Sequence, residues 1–277
     1  MIPKNIRKRG ALFATGCVAL FAALPGVAFS QVAFFDPQEG LNIVALGVGS
    51  APDFMGSADN EAALGPMARY YFSDKRYIQL LGPQLSLNLL NDDVWQFGPQ
   101  LLWRFERGSD VDDSVVKRMR QIDSAVEAGV FVAATWKVGA DPRERLNIRG
   151  DIQTGENGYE GTLTANYFLP VAKTVVLNLG GGMGFTNDKW ARTYYGVEGT
   201  DVALFPSLGG REYKPDGGVN DYRVNVSALV HLSPNWHLGV GARYQKLQGD
   251  AADSPIVDER GSQDQLIYGA AIGYVWQ

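Results

Sequence analysis

Residues 222–245 read YRVNVSALVHLSPNWHLGVGARYQ, and they alternate apolar with polar side chains on both sides of the turn Ser233-Pro234-Asn235. The apolar face carries Tyr222, Val224, Val226, Ala228, Val230 and Leu232 before the turn, and Trp236, Leu238, Val240, Ala242 and Tyr244 after it. A period of two residues predicts β-strands and argues against a helix. Strands of about 10 residues, with aromatic side chains at their ends and one polar face, are typical of a transmembrane β-barrel.

The N-terminus has the features of a secretory signal peptide. An apolar run over residues 11–24 follows four basic residues: Lys4, Arg7, Lys8 and Arg9. The alternative, an uncleaved membrane helix, is disfavoured because Pro25 and Gly26 would break it. We predict cleavage after Ser30, which leaves a signal peptide of residues 1–30 and a single barrel domain of residues 31–277.

Charge and cysteine content exclude several classes of function. The chain has 25 basic and 30 acidic residues, and removing the four basic residues of the signal peptide gives 21 − 30 = −9. This negative charge argues against nucleic acid as a partner. The single cysteine, Cys17, lies in the predicted signal peptide, so the mature chain has no thiol for a disulfide or a metal. We expect no metal and no cofactor.

The alternation of turns and loops predicts the number of strands. Alternating segments lie at residues 41–50, 63–72, 76–81, 84–90, 94–107, 123–137, 143–153, 159–169, 173–186, 219–232, 235–248 and 263–276, which makes 12. All long connections then fall at one end, as an all-β, closed antiparallel barrel in the outer membrane requires. The alternative is a 10-strand barrel in which residues 76–90 form a single strand; it keeps the local alternation but breaks this order. The connection at 187–218 is long enough to fold inward as a plug or cap.

Four segments resemble the MipA/OmpV family of Gram-negative outer-membrane proteins. They are GVGSAPDFMGS at 47–57, GPMARY at 65–70, YYGV at 194–197 and LQGDAADSPIV at 247–257. The last of these is the most specific, and the motif residues are Tyr195, Gly196, Gly249, Asp250, Ser254 and Pro255. The resemblance extends over essentially the whole mature chain. It implies location in the outer membrane, in contact with lipid and lipopolysaccharide.

The resemblance implies a non-enzymatic function. Relatives are regarded as scaffolds that join a murein lytic transglycosylase to a penicillin-binding protein in peptidoglycan synthesis, and others are linked to adhesion or stress responses. A small pore or transporter is the alternative. A scaffold would use exposed turns, so the candidate interaction positions are Asn91, Asp92, Asp93, Ser233, Pro234 and Asn235 in turns, with Asp250, Asp253 and Ser254 in a loop.

Catalysis and conduction depend on the polar side chains of the predicted lumen. The chain has 2 histidines, His231 and His237, and both fall on the lumen face beside Ser233. Ser233 could be a nucleophile with a histidine as its base, but polar residues that line the lumen are the better interpretation. We therefore expect no enzyme activity. Opposite charges on the lumen face are expected to pair across the interior and narrow it; they are Arg69, Arg104, Arg149, Arg223 and Arg243 with Glu106, Glu127, Asp151 and Glu160.

Overall fold

The computed structural model describes residues 40–277, so the predicted signal peptide lies outside the described residues. These residues form a closed barrel in which each strand pairs with its neighbours in sequence and β1 closes onto β12. All pairs are antiparallel. The strands are β1 (Asn42–Pro52), β2 (Asn60–Tyr71), β3 (Tyr77–Leu81), β4 (Gln84–Asn88), β5 (Trp95–Arg104), β6 (Ala125–Lys137), β7 (Arg145–Gly155), β8 (Gly158–Ala172), β9 (Val175–Thr186), β10 (Gly218–His231), β11 (Trp236–Leu247) and β12 (Asp264–Trp276). The prediction of 12 strands is confirmed.

The outer surface of the barrel is apolar because alternate residues of every long strand point away from the lumen. In β10 the exposed apolar side chains include Tyr222, Val224 and Val226, as the sequence pattern predicted. In β12 they include Leu266, Tyr268 and Ile272. Water would not favour so much exposed apolar surface, whereas a bilayer does. Closure of the sheet also leaves no edge strand with unpaired backbone groups.

The hairpin of β3 and β4 decides between 12 and 10 strands. Each strand has 5 residues, and Leu81 pairs with Gln84 across a tight turn. Gly82 in this turn has φ +53°, a left-handed conformation that glycine adopts without steric cost. The chain therefore reverses at Gly82, and residues 76–90 do not run on as a single strand.

The connections differ in length between the two ends of the barrel. At one end, called the turn end here, only short segments join the strands, for example residues 232–235 between β10 and β11. The opposite end, called the loop end, holds the three longest connections, at 105–124, 187–217 and 248–263, and also the shorter loop at 53–59. Helices form in these loops: α1 (Asp188–Tyr195), α2 (Gly249–Ala252) and α3 (Pro255–Asp258). In residues 40–277 none of the helices has the length and apolar character to cross a membrane.

The loops at the loop end pack together through two apolar clusters, which we call the plug. One cluster contains Ile122, Trp190, Tyr194, Tyr195, Leu247, Ala251, Ala252 and Val257. The other contains Phe54, Val111, Val116, Met119, Val197, Phe205 and Ile256. Each of these four loops contributes to at least one cluster, so residues 187–217, which are long enough to fold inward, pack together with the other three loops.

Candidate functional site

A buried ion-pair group lies in the lumen beneath the plug. The guanidinium of Arg104 on β5 donates to both carboxylate oxygens of Glu127 on β6, at 2.8 and 2.7 Å. The same group donates to Glu160 on β8 at 2.6 Å. These side chains face inward because they alternate with the lipid-facing residues of their strands. Opposite charges therefore pair here as expected, but they do so between the adjacent strands β5 and β6 and with the nearby strand β8, on one side of the lumen.

Other predicted lumen charges behave differently. Arg149 pairs with Asp151 two residues further along the same strand, with a shortest distance of 2.6 Å. Arg223 similarly pairs with Asp221 at 2.7 Å, and both are buried. The prediction for Glu106 was wrong, because β5 ends at Arg104 and Glu106 is exposed beyond it. Alternation can be extrapolated only while the strand continues.

Helix α1 connects the plug to the ion-pair group. Asn187 begins the helix by accepting a hydrogen bond from the backbone N–H of Trp190 at 3.1 Å. The indole of Trp190 is fully buried and lies over the Arg104 guanidinium, 5.3 Å from it, in a cation–π contact. Burial also raises the pKa of the nearby Tyr194 hydroxyl to about 12, so the hydroxyl stays neutral. The plug thus rests directly on the lumen charges.

The motif residues of the sequence come together in the plug. The Ser254 hydroxyl, which is fully buried, donates to the backbone carbonyl of Tyr195 at 2.6 Å and also begins helix α3. Gly196 ends helix α1, and Gly249 begins α2 with φ +54°. Pro255 follows as the first residue of α3. These residues hold two loops together, which is a structural role that spacing alone did not indicate.

The acidic loop candidates lie on the outer side of the same assembly. The backbone carbonyl of Asp250 accepts a hydrogen bond from the Tyr213 hydroxyl at 2.7 Å. Its carboxylate accepts one from the backbone N–H of Asp216 at 2.8 Å. Asp253 ends helix α2 and is exposed. Within residues 40–277 there is no group of three or more His, Cys, Asp or Glu residues placed to hold a metal ion.

The turn candidates occupy opposite sides of the turn end. Asn91, Asp92 and Asp93 join β4 to β5, whereas Ser233, Pro234 and Asn235 join β10 to β11, half the barrel away. All six side chains are exposed. The backbone N–H groups of residues 95 and 94 lower the pKa of the Asp92 carboxyl, which remains ionised at neutral pH. The two turns can contact the same partner only if it covers the barrel mouth.

The two histidines face each other at the turn end. His231 and His237 are directly paired across β10 and β11, and their Nδ1 atoms are 2.6 Å apart. Ser233 is engaged elsewhere, since its hydroxyl oxygen accepts hydrogen bonds from the backbone N–H groups of Asn235 and Trp236. The structure therefore gives the histidines a mutual contact and uses the serine hydroxyl to close the turn.

A cavity of about 190 Å³ occupies the lumen between the ion-pair group and the turn end. Its wall runs from Arg223 and Arg243 in the barrel interior to Lys75 and Asp92 at the rim. Three arginine side chains in this region lie over aromatic rings: Arg69 over Tyr77, Arg145 over Phe168 and Arg149 over Phe131. This arrangement was not predicted from the sequence. A search for lumen-facing arginines beside lumen-facing aromatics on paired strands would have found it.

Solved structures with a similar fold are barrels of the outer membrane. A NanC porin is 11% identical, with 84% of this chain and 98% of that chain covered and a TM-score of 0.48. An outer membrane channel from Pseudomonas putida F1 is 13% identical, with 87% and 97% covered and a TM-score of 0.48. The channel DcaP of Acinetobacter baumannii is 9% identical, with 87% and 99% covered and a TM-score of 0.39. No curated protein sequence matches this chain.

A family comparison identifies the chain more specifically than the barrel fold does. The sequence profile described as MltA-interacting protein MipA matches residues 44–276. The match begins in β1 and ends with the last residue of β12, so it covers the complete barrel together with its plug. It also includes the four segments that carry the resemblance, at 47–57, 65–70, 194–197 and 247–257. The chain belongs to the MipA family.

Proposed function

We propose that this protein is a non-catalytic docking protein of the Gram-negative outer membrane, with its turn end in the periplasm. Its partners would be a murein lytic transglycosylase and a penicillin-binding protein. The observation that carries the proposal is the asymmetry of the barrel: the plug covers the loop end, while the lumen cavity extends to the turn end. The family description, which names an interacting protein, supports the same function.

The rim of the turn end offers a charged surface for such a partner. Lys75 and Asp93 form an ion pair at 2.9 Å between neighbouring turns. On the β6–β7 turn, hydrogen bonds from Arg143 lower the pKa of the Asp141 carboxyl to about 2, so both groups stay charged. Each turn is small by itself. Five turns arranged in a ring, with a cavity at their centre, provide a larger surface than any one of them.

Site-specific photo-crosslinking in intact cells tests the docking surface. The probes belong at Asn91, Ala140 and Pro234, which are exposed and lie in three turns. Gly139 is unsuitable, because a side chain there would meet the carboxylate of Glu144. Asn235 is also unsuitable, because its side-chain amide donates to the backbone of Val275 and holds the end of β12.

The matched control is a probe at Lys117, which is exposed at the loop end. Capture of murein hydrolases or synthases from the turn positions, and not from Lys117, would support the proposal. Capture of assembly factors or lipopolysaccharide alone from every position would contradict it. A lipid-hydrolysis assay of the purified protein and of His231→Ala tests the non-catalytic part, and activity that the substitution abolishes would refute it.

The alternative function, a small pore, has one observation in its favour: the polar cavity inside the barrel. For a solute to cross, the plug would have to leave the loop end, since its clusters are buried. Planar-bilayer recordings distinguish the two functions. Frequent opening of the unmodified protein would favour the pore, and a closed barrel that still captures murein enzymes would favour docking.

A further inference from the structure

The histidine pair at the turn end brings two metal-binding side chains together. His231 is the last residue of β10 and His237 is the second residue of β11, and the strand register places them directly opposite each other. The backbone N–H of His231 points away from His237, because it donates to the carbonyl of Thr174 on the other side of β10. In a cross-strand pair of this kind, without mutual backbone hydrogen bonds, the side chains approach most closely.

The contact between the two rings already encloses the place of a cation. The Nδ1 atoms are 2.6 Å apart, and the ring planes are inclined at 83°. Two nitrogen lone pairs repel each other at this distance, so a proton lies between them, given by one ring and accepted by the other. A metal ion would replace this proton. Metal–nitrogen bonds of about 2.0–2.1 Å put the two nitrogens about 2.8–3.4 Å apart, so the rings need to separate by less than about 1 Å.

The Nδ1 atoms, and not the Nε2 atoms, are placed to bind an ion. Both Nε2 atoms are buried, point away from the contact between the rings and have no hydrogen-bond partner among residues 40–277. His237 as a whole is buried, whereas His231 is partly exposed. An ion from solution would therefore reach the pair along the His231 ring and meet both Nδ1 atoms there.

The charges around the pair are compensated. Arg143, on the turn between β6 and β7, is close enough to act electrostatically on His231. Its guanidinium is ion-paired with Asp141 at 2.7 Å and donates to the backbone carbonyls of Ala172 and Lys173. In the described part of the chain no third His, Cys, Asp or Glu completes a metal-binding group. Two neutral imidazoles suit Cu²⁺, Ni²⁺ or Zn²⁺, whereas Mg²⁺ and Ca²⁺ prefer oxygen ligands.

We propose that His231 and His237 bind one ion of the later first-row transition metals through their two Nδ1 atoms. Water fills the remaining coordination positions, because the pair supplies two ligands where structural zinc sites have four. The ion joins the ends of β10 and β11 at the turn end. Cu²⁺ binds more tightly than Ni²⁺ or Zn²⁺, as is general for such ligands. This site would overturn the expectation from the sequence that the chain binds no metal, and it does not depend on the proposed docking function.

Metal titration of the purified barrel in detergent tests the site cleanly, because the sequence has 2 histidines and its single cysteine lies in the predicted signal peptide. The protein carries a tag without histidine, is treated with a chelator and is titrated with Cu²⁺, Ni²⁺, Zn²⁺ and Mg²⁺. We expect Cu²⁺ to bind at one site, Ni²⁺ and Zn²⁺ to bind more weakly, and Mg²⁺ not to bind. Electron paramagnetic resonance of the Cu²⁺ complex should show coupling to two imidazole nitrogens. Absence of Cu²⁺ binding, or binding without this coupling, would overturn the proposal.

Variants assign the ion to the two rings. His231→Gln and His237→Gln should each weaken Cu²⁺ binding at least about tenfold, since losing even an outer-shell partner costs about 10–100-fold in metal affinity. Each variant should also lose one of the two nitrogen couplings. The matched control is Asp74→Asn, which removes an exposed carboxylate from another turn and should leave the affinity unchanged. Heat-modified migration in electrophoresis confirms that each variant is a folded barrel. Unchanged affinity in either folded histidine variant would refute the assignment, as would an equal loss in Asp74→Asn.

Discussion

Replacing Trp190 by alanine should open the loop end of the barrel. Its indole is fully buried in the plug, with ring centres 4.4 Å from Tyr194 and 6.0 Å from Tyr195, and it lies over Arg104. A buried tryptophan removes roughly 200 Å² from water, which corresponds to about 5 kcal/mol at about 25 cal/mol per Å². Trp→Ala substitutions in protein cores lower the free energy of unfolding by about 3–5 kcal/mol, which agrees with this value.

The cost falls on the plug, because Trp190 packs in a cluster made mostly of loop residues and lies over the side chain of Arg104. Each 1.4 kcal/mol is tenfold in an equilibrium, so a loss of about 4 kcal/mol raises the ratio of open to closed plug roughly a thousandfold. Planar-bilayer recordings of the refolded protein measure this ratio as open probability. We expect rare openings in the unmodified barrel and sustained openings in Trp190→Ala.

The matched control is Trp103→Ala, which removes the same side chain from the lipid-facing surface of β5, where it is 49% exposed. Its conductance should equal that of the unmodified protein. A Trp190→Ala barrel that stayed closed although proteases cut its loops would contradict this prediction, since something other than the plug would then close the lumen. Equal conductance in Trp103→Ala and Trp190→Ala would also contradict it.

Three further changes have defined outcomes. Ser254→Ala removes the 2.6 Å hydrogen bond to the backbone of Tyr195 inside the plug and should destabilise the loops by about 1–3 kcal/mol, seen as faster proteolysis at the loop end. Arg104→Gln leaves two buried carboxylates without their cation and should lower the free energy of unfolding in urea by about 3–5 kcal/mol. The third change is acidification. Burial raises the pKa of Asp113, but hydrogen bonds from Arg260 and from backbone N–H groups outweigh this and hold the pKa below 3.8. A depressed folded-state pKa stabilises the loops above pH 3.8, and this stabilisation is lost as the pH falls through the folded pKa. Pepsin digestion should therefore reach the loops more readily in strong acid, and Arg260→Gln should reduce that pH dependence; a variant with an unchanged profile would contradict this.

The wall of the barrel was predictable from sequence because its signal is local. A two-residue period and short turns define each strand, and the predicted segment 123–137 corresponds to β6 at Ala125–Lys137. Even the short hairpin at Gly82 was predicted. Errors occurred where a strand stopped early, as at Arg104, beyond which Glu106 no longer faces the lumen.

The interior was less predictable because its contacts join residues far apart in the chain. Ser254 bonds to Tyr195 across 59 positions, and no periodicity connects a loop serine to a distant carbonyl. The stacking of Arg145 on Phe168 requires the register of β7 against β8, which pairs these two residues directly. Such pairings could be enumerated from a correct strand assignment. The packing of four loops into one plug could not be derived in this way, because the loops have no regular register.

The short hairpin of β3 and β4 has a consequence for the surrounding lipid. Five residues extend about 17 Å along a strand at about 3.3 Å each, and less in height when the strand tilts. The apolar band of an outer-membrane barrel is about 25 Å tall. A bilayer around this protein would therefore meet hydrophobic mismatch in one sector, between β2 and β5, and would thin there or tilt its acyl chains. Lipids beside this low part of the wall would be the most perturbed, which makes it the sector where bilayer thickness would affect the barrel most.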